Sequence, residues 1–210
     1  MSLNGVTINT PYNIPLGAGV YFELGDAELF NPLVAPTLEQ IMAGMKGATQ
    51  EGGTLTITPE LWKPELDDVT VDLYELDAKL GETAQMEVSF AELTPELVKR
   101  FVIGKVQDST DANYDVITSA DLGPGHYYEC FGQYGRFLNG RPYIVLFKRA
   151  LCTSGMAVDS KSKTNSVFKG TFVCKGDIGF GTNKLPYAIF LYKKDKWVPA
   201  TPEEAQAAAE

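Results

Sequence analysis

The chain has 210 residues, 44% of them hydrophobic and 21% charged, enough apolar material for one substantial core and too little bias for wholesale disorder. No apolar run reaches 18 residues, so no membrane span is expected, and the start, MSLNGVTINT, lacks the basic-then-apolar pattern of a signal peptide. The net charge of −9 is unevenly spread, with three cations against sixteen acids in residues 1–98 and fifteen against eleven in residues 99–210, which argues against a surface that grips nucleic acid, because such surfaces are basic.

Residues 1–18, rich in Asn, Thr, Pro and Gly, read as an arm that orders only by packing on something. GVYFEL (19–24) reads as a first strand, opening a single β domain over 19–197. The loop after it presents Leu29, Phe30, Leu33 and Val34. Thr37 and Gln40 form a capping-box signature for a short helix, weakened by Gly44 and stopped by Gly47. In GGTLTITPELW, Leu55 and Ile57 alternate with threonines, while Pro59 and Pro64 point to an edge strand or to two strands joined by a kink.

Val69, Val71 and Leu73 alternate next, within a stretch holding Glu65, Asp67, Asp68, Asp72, Glu75 and Asp77 and no Lys or Arg. The alternation slips phase after Leu73, which a bulge or turn explains. TAQMEVSFAEL (83–93) places Met86, Val88 and Phe90 on one side. Thr94–Val102 is the clearest helix: Thr94 caps it, Pro95 suits its first turn, Leu97, Val98, Phe101 and Val102 form a stripe, Lys99 and Arg100 face away, and Gly104 ends it. Such a lone helix lies on a sheet or plugs one end of a barrel.

Asn139-Gly140 is a two-residue hairpin signal joining HYYECFGQYGRFL to RPYIVLFKRALC. A polar loop covers 153–165, and SVFKGTFVCKGDI and LPYAIFLYKK supply two more strands, with GDIGFGTN as a hairpin loop between them. Residues 198–210 read as a flexible tail. The fold class expected is mainly β: two packed antiparallel sheets, as a sandwich or split barrel, with one flanking amphipathic helix.

Chemistry is sparse. Cys130, Cys152 and Cys174 sit among apolar neighbours and read as buried free thiols. His126 is the only histidine, so neither a zinc site nor any other metal or cofactor is expected. On a strand it would share a face with Tyr128 and Cys130, which makes a Cys–His pair conceivable, but a packed histidine is the expectation. The acids of 65–77 lack the calcium-loop pattern. Carboxylates about 7 Å apart in water repel by only ~0.6 kcal/mol. Turned inward around a closed ring they would make a negative wall that repels a polyanion within a Debye length, ~8 Å.

Three stretches resemble phage tail tube proteins, the major tail proteins of long-tailed phages and prophages: GATQEGGTLTITPELWKPELDD (47–68), LTPELVKRFV (93–102), and NGRPYIVLFKRALC (139–152) followed by SVFKGTFVCKGD (166–177). Their order matches over roughly 19–195. The resemblance implies a non-enzymatic virion protein, made in the bacterial cytoplasm. It further implies hexameric rings stacked into a tube around a tape-measure protein, a tube that would later conduct DNA without binding it specifically. The acids would then be lumen-facing. Leu29, Phe30, Leu33, Val34 and the cations Lys161, Lys163, Lys193, Lys194 and Lys196 are ring-contact candidates. The alternatives are a terminator or connector ring of the same kind of particle, and a carbohydrate-binding sandwich using Trp62, Trp197, Tyr127, Tyr128, Tyr134 and Tyr143. A hydrolase built on the acids near 65–77 is the third.

Overall fold

The computed structural model describes residues 14–64, 74–111, 113–159, 166–181 and 184–197. Its strands are β1 (Pro15–Glu23), β2 (Thr49–Trp62), β3 (Ala78–Phe90), β4 (Gly104–Gln107), β5 (Val116–Ser119), β6 (Tyr128–Phe137), β7 (Pro142–Cys152), β8 (Ala157–Asp159), β9 (Val167–Cys174) and β10 (Tyr187–Leu191); the helices are α1 (Leu38–Ala43) and α2 (Pro95–Phe101). The mainly β expectation holds. Eight strands form one antiparallel sheet in the order β1-β6-β7-β9-β3-β2, with β10 added to β7 and β8 to β9, and β4 and β5 form a separate two-stranded sheet.

Strand β7 makes a sandwich out of the large sheet. Its first half, Tyr143–Phe147, pairs with β10, and its last residues, Ala150–Cys152, pair with β9. One strand therefore belongs to two layers, β1-β6-β7-β10 and β7-β9-β3-β2. Between them lies the larger core, with Tyr21 from β1, Met86 and Phe90 from β3, Phe131 from β6, Phe147 from β7 and Phe172 from β9. Period-2 alternation produces it: on β3, Ala84, Met86, Val88 and Phe90 are buried, while Gln85, Glu87 and Ser89 are not. The layers meet where the chain leading into β2 pairs with β1. Glu23 N–H donates to the Gly44 carbonyl at 2.9 Å and Lys46 N–H to the Tyr21 carbonyl at 3.1 Å. This seam closes one side of a split barrel.

Helix α2 plugs the core. Phe101 makes edge-to-face contacts with Phe90 and Phe172 at 6.1 and 5.6 Å, pairs worth about 0.5–1.5 kcal/mol each beyond burial. Thr94 Oγ1 accepts from Leu97 N–H, as its capping role requires. A smaller cluster of Phe22, Ile41, Cys130, Ile144 and Leu146 covers the other face of the β1-β6-β7 layer, so α1 packs outside the sandwich. The capping box of α1 is formed by Thr37 and Gln40.

Several local expectations change. Gly44, not Gly47, caps α1. Helix α2 stops before Gly104: Ile103 takes the left-handed conformation, φ 51°, and Gly104 opens β4, where a Cβ would press against Ile117 at 2.7 Å. Val102 is exposed rather than part of the apolar stripe, and Arg100 turns inward rather than away. The Asn139-Gly140 turn is a three-residue loop, with Gly140 N–H on the Phe137 carbonyl, Phe137 N–H on the Arg141 carbonyl and Gly140 at φ 84°. GDIGFGTN does not join paired strands, since β9 and β10 both pair with β7. Part of the polar loop 153–165 forms β8, and β1 begins at Pro15, inside the stretch read as arm.

Candidate assembly surface

Among the described residues the sheet is incomplete on two sides. Strand β9 covers β3 only along Gln85–Phe90. From Ala84 back to Ala78, β3 has β2 on one edge and no strand on the other among the described residues. Strands β2 and β3 thus continue past the core as a two-stranded ribbon. A register shift between the pairs Glu60↔Gly81 and Leu61↔Lys79 marks a bulge in it. Near its end Leu61, Trp62, Tyr74 and Leu80 are exposed, Leu61 at 64%. Of the two readings that Pro59 left open, the edge strand holds: β2 is one strand at the end of the sheet order among the described residues.

Strand β10 has the second open edge: β7 pairs on one side and no described strand on the other. Ile189 lies opposite buried Val145, so Ile189 and Leu191 continue the face of the larger core, yet both are exposed. Where a backbone ladder between β3 and β10 would start, a side chain spans the gap. Glu82 accepts from Leu185 N–H at 2.9 Å and from Tyr187 Oη at 3.3 Å, and pairs with Lys79 at 2.6 Å. Burial alone would raise its carboxyl, but Lys79 and the Leu185 amide hold it below the ordinary carboxylate value.

The acidic candidates sit at the far end of this ribbon in sequence. Glu65, Asp67, Asp68 and Asp72 lie outside the described residues, as does the strand expected over 68–73. Glu75 falls in a single 3-10 turn, Tyr74–Leu76, at the point where the apolar alternation slips phase. Asp77 is exposed and pairs with Lys63 at 3.2 Å. Of the contact candidates, Leu29, Leu33 and Val34 are exposed. Phe30 turns in against the smaller core and meets Phe180 edge-on at 6.2 Å. Lys193, Lys194 and Lys196 are exposed on the turn after β10, and Lys161 and Lys163 lie outside the described residues.

Pattern reading missed a charged cluster at the barrel seam. Glu23, with its side chain 3% exposed, accepts from Arg100 Nη1 at 2.6 and 2.7 Å, pairs with Lys46 Nζ at 2.8 Å and accepts from Glu129 N–H at 3.0 Å. The Arg100 guanidinium also lies 4.6 Å from the Tyr128 ring centroid and 2.9 Å from Glu96. Burial would raise the Glu23 carboxyl, but its two cations and the amide outweigh that and lower it. The cluster ties β1, α2, β6 and the lead-in to β2 together. The only sequence signal was Glu23 ending an otherwise apolar strand, while its partners are 23, 77 and 106 residues away.

The acids of the hydrolase alternative lie mostly outside the described residues, and within the described residues the Cys–His alternative finds little geometry. His126 is buried in a 3-10 turn, not on a strand; its Nδ1 meets Gly123 N–H and its Nε2 the Gly104 carbonyl, so both nitrogens are occupied by backbone. All three cysteines are buried and free, and burial pushes the Cys130 and Cys174 thiols up to about 12, far from reactive thiolates. Among the described residues no His, Cys, Asp and Glu group could hold a metal. The aromatic platform disperses: Tyr128 is buried, Trp62 stands at the ribbon end, and Trp197 packs on Tyr192 at 5.7 Å. A shallow cleft of about 700 Å³ beside Pro124, Tyr127, Arg149 and Lys175 contains Glu129, which faces Arg149 at 3.7 Å, and no second carboxylate.

No protein-family profile matches the chain, and no curated protein matches it. Among solved structures it is similar to a chain from the virion of a native gene transfer agent particle, at 9% identity and a TM-score of 0.38, over 82% of this chain and 95% of that one.

Proposed function

We propose that this chain is a non-enzymatic structural protein of a phage or prophage tail, assembling into hexameric rings that stack into the DNA-conducting tube. The observation that carries the proposal is the open sheet. Among the described residues, a ribbon with an unpaired edge and exposed Leu61, Trp62 and Leu80, beside a second unpaired edge on β10, is a surface that isolated proteins normally cover or blunt. Head-to-tail pairing of two different edges is a heterologous contact, which closes into a ring when the rotation allows. The ordered motifs of 47–68, 93–102 and 139–177 support the tube family in particular, and that family supplies the six-fold symmetry and the tape-measure partner.

In the tube the acids of 65–77 line the bore. Residues 1–98 carry sixteen acids against three cations, and such a wall keeps a polyanion from adhering as it passes. Negative-stain microscopy of concentrated purified protein tests the assembly. Stacked rings or tubes are expected. One discrete ring that never stacks would move the assignment to a terminator or connector, and a monomer at all concentrations would refute assembly through these edges.

A further inference from the structure

A charged row crosses the sheet on the side away from the larger core. Tyr128, Ala150 and Cys174 sit side by side in that core, Tyr128 paired with Ala150 and Ala150 with Cys174. Their chain neighbours Glu129, Arg149 and Lys175 therefore stand on the opposite face, again side by side. Glu129 pairs with Arg149 in the ladder, and Lys175 N–H, just past β9, donates to the Arg149 carbonyl at 2.9 Å. Leu122, Pro124 and Tyr127, from the turn that leads into β6, wall the cleft of about 700 Å³ whose floor is this row. That volume lies within the ~300–1,000 Å³ of small-ligand sites.

Glu129 is held as a fixed post. Its N–H donates to Glu23 Oε1 at 3.0 Å, its carbonyl accepts from Gly25 N–H at 3.1 Å, and its Oε2 accepts from Ala27 N–H at 3.3 Å. The next residue, Cys130, takes a left-handed conformation, φ 52°, which costs energy in a residue with a Cβ and persists only where its surroundings impose it. The other carboxylate oxygen of Glu129, Oε1, lies 3.7 Å from Arg149 Nε, the one ion pair of Arg149 among the described residues. The contact is made through Nε, while the guanidinium carries a further pair of nitrogens, the fork that grips a carboxylate bidentately. Lys175 has no ion pair among the described residues, whereas neighbouring Lys148 is taken by Asp177 at 2.7 Å. The cleft thus faces two cations against one acid, in a chain of net charge −9.

We propose that this cleft binds an acidic peptide: Arg149 and Lys175 take an Asp or Glu carboxylate, and Leu122, Pro124 and Tyr127 take an apolar residue beside it. Two cations are too few for a nucleic-acid backbone, which is gripped through many phosphates. The inference does not rest on the assembly reading, since the cleft uses neither open strand edge.

The test is saturation-transfer NMR on the full-length protein with the peptide acetyl-Leu-Asp-Leu-amide, a readout that serves free and assembled protein alike. Saturable transfer to the leucine methyls is expected. Binding should be about tenfold weaker for acetyl-Leu-Asn-Leu-amide, and about tenfold weaker for Arg149→Gln protein. Arg149→Lys should recover little of the loss, because it restores the charge without the fork. Leu122→Ser should weaken the peptide as well. The Arg149 side chain is 43% exposed and Leu122 50%, so these variants should keep the melting transition of the parent. No transfer at millimolar peptide, equal binding of the Asp and Asn peptides, or full binding by Arg149→Gln would overturn the site. Displacement of the peptide by an equal concentration of inorganic phosphate or of a thymidine pentanucleotide would overturn the peptide assignment in favour of a phosphate site.

Discussion

Replacing Glu23 by Gln tests the physical account of the barrel seam most sharply. The substitution keeps volume and an acceptor for Glu129 N–H, and removes the charge that Arg100 and Lys46 share. Taking one partner from a buried ion pair costs about 3–5 kcal/mol. Two features reduce that here: the Arg100 and Lys46 side chains are 18% and 21% exposed, and Glu96 remains within 2.9 and 3.7 Å of them. A loss of about 2–3 kcal/mol is therefore expected. For a chain of this size each kcal/mol moves Tm by about 2–4 °C, so the midpoint should fall by ~4–12 °C. Glu96→Gln, at a side chain 59% exposed, should cost less than about 1 kcal/mol.

The dependence on pH carries a sign. The Glu23 carboxyl is lowered from its ordinary 4.5 in the folded protein, so the unfolded chain takes up the proton first. Its stabilisation is thus present above that ordinary value and lost as pH falls through the depressed one. Chemical denaturation of dilute, unassembled protein should show the gap between wild type and Glu23→Gln constant above about pH 6 and closing below about pH 4. An equal stability of the two proteins at neutral pH, or a gap that widens in acid, would refute the account.

Three further outcomes follow from other parts of the molecule. The buried Tyr21 hydroxyl has no hydrogen-bond partner among the described residues and burial pushes it up to about 12, so Tyr21→Phe should leave stability unchanged or raise it by about 1 kcal/mol; in the same melts Gly53→Ala should destabilise, because a Cβ there would collide with that hydroxyl and with the Glu87 carbonyl. Thr94→Ala removes the cap on Leu97 N–H and should cost about 1 kcal/mol, measured by denaturant midpoint. Changing Asp68, Asp72 and Glu75 together to Lys should leave the melting transition nearly unmoved and make assembled tubes retain DNA in a sedimentation assay; tubes that still bind none would refute the negative bore.

What the sequence alone determined is what neighbouring residues enforce on one another. The alternation of Met86, Val88 and Phe90, the Thr37–Gln40 box, the Thr94 cap with Pro95, and the buried character of the three cysteines all follow from spacing and side-chain type, and all are observed. Pro59 marked an edge strand for the same local reason. Only the tertiary structure could decide which edges stay unpaired among the described residues, because pairing depends on strands far apart in the chain: β7 divides its partners between β10 and β9, and among those residues this leaves the ribbon and β10 open. Arg100 shows the same limit. Helical spacing turned it outward, but a carboxylate 77 residues away, itself buried by the seam, draws the guanidinium in, since a buried charge requires a partner wherever the fold can supply one.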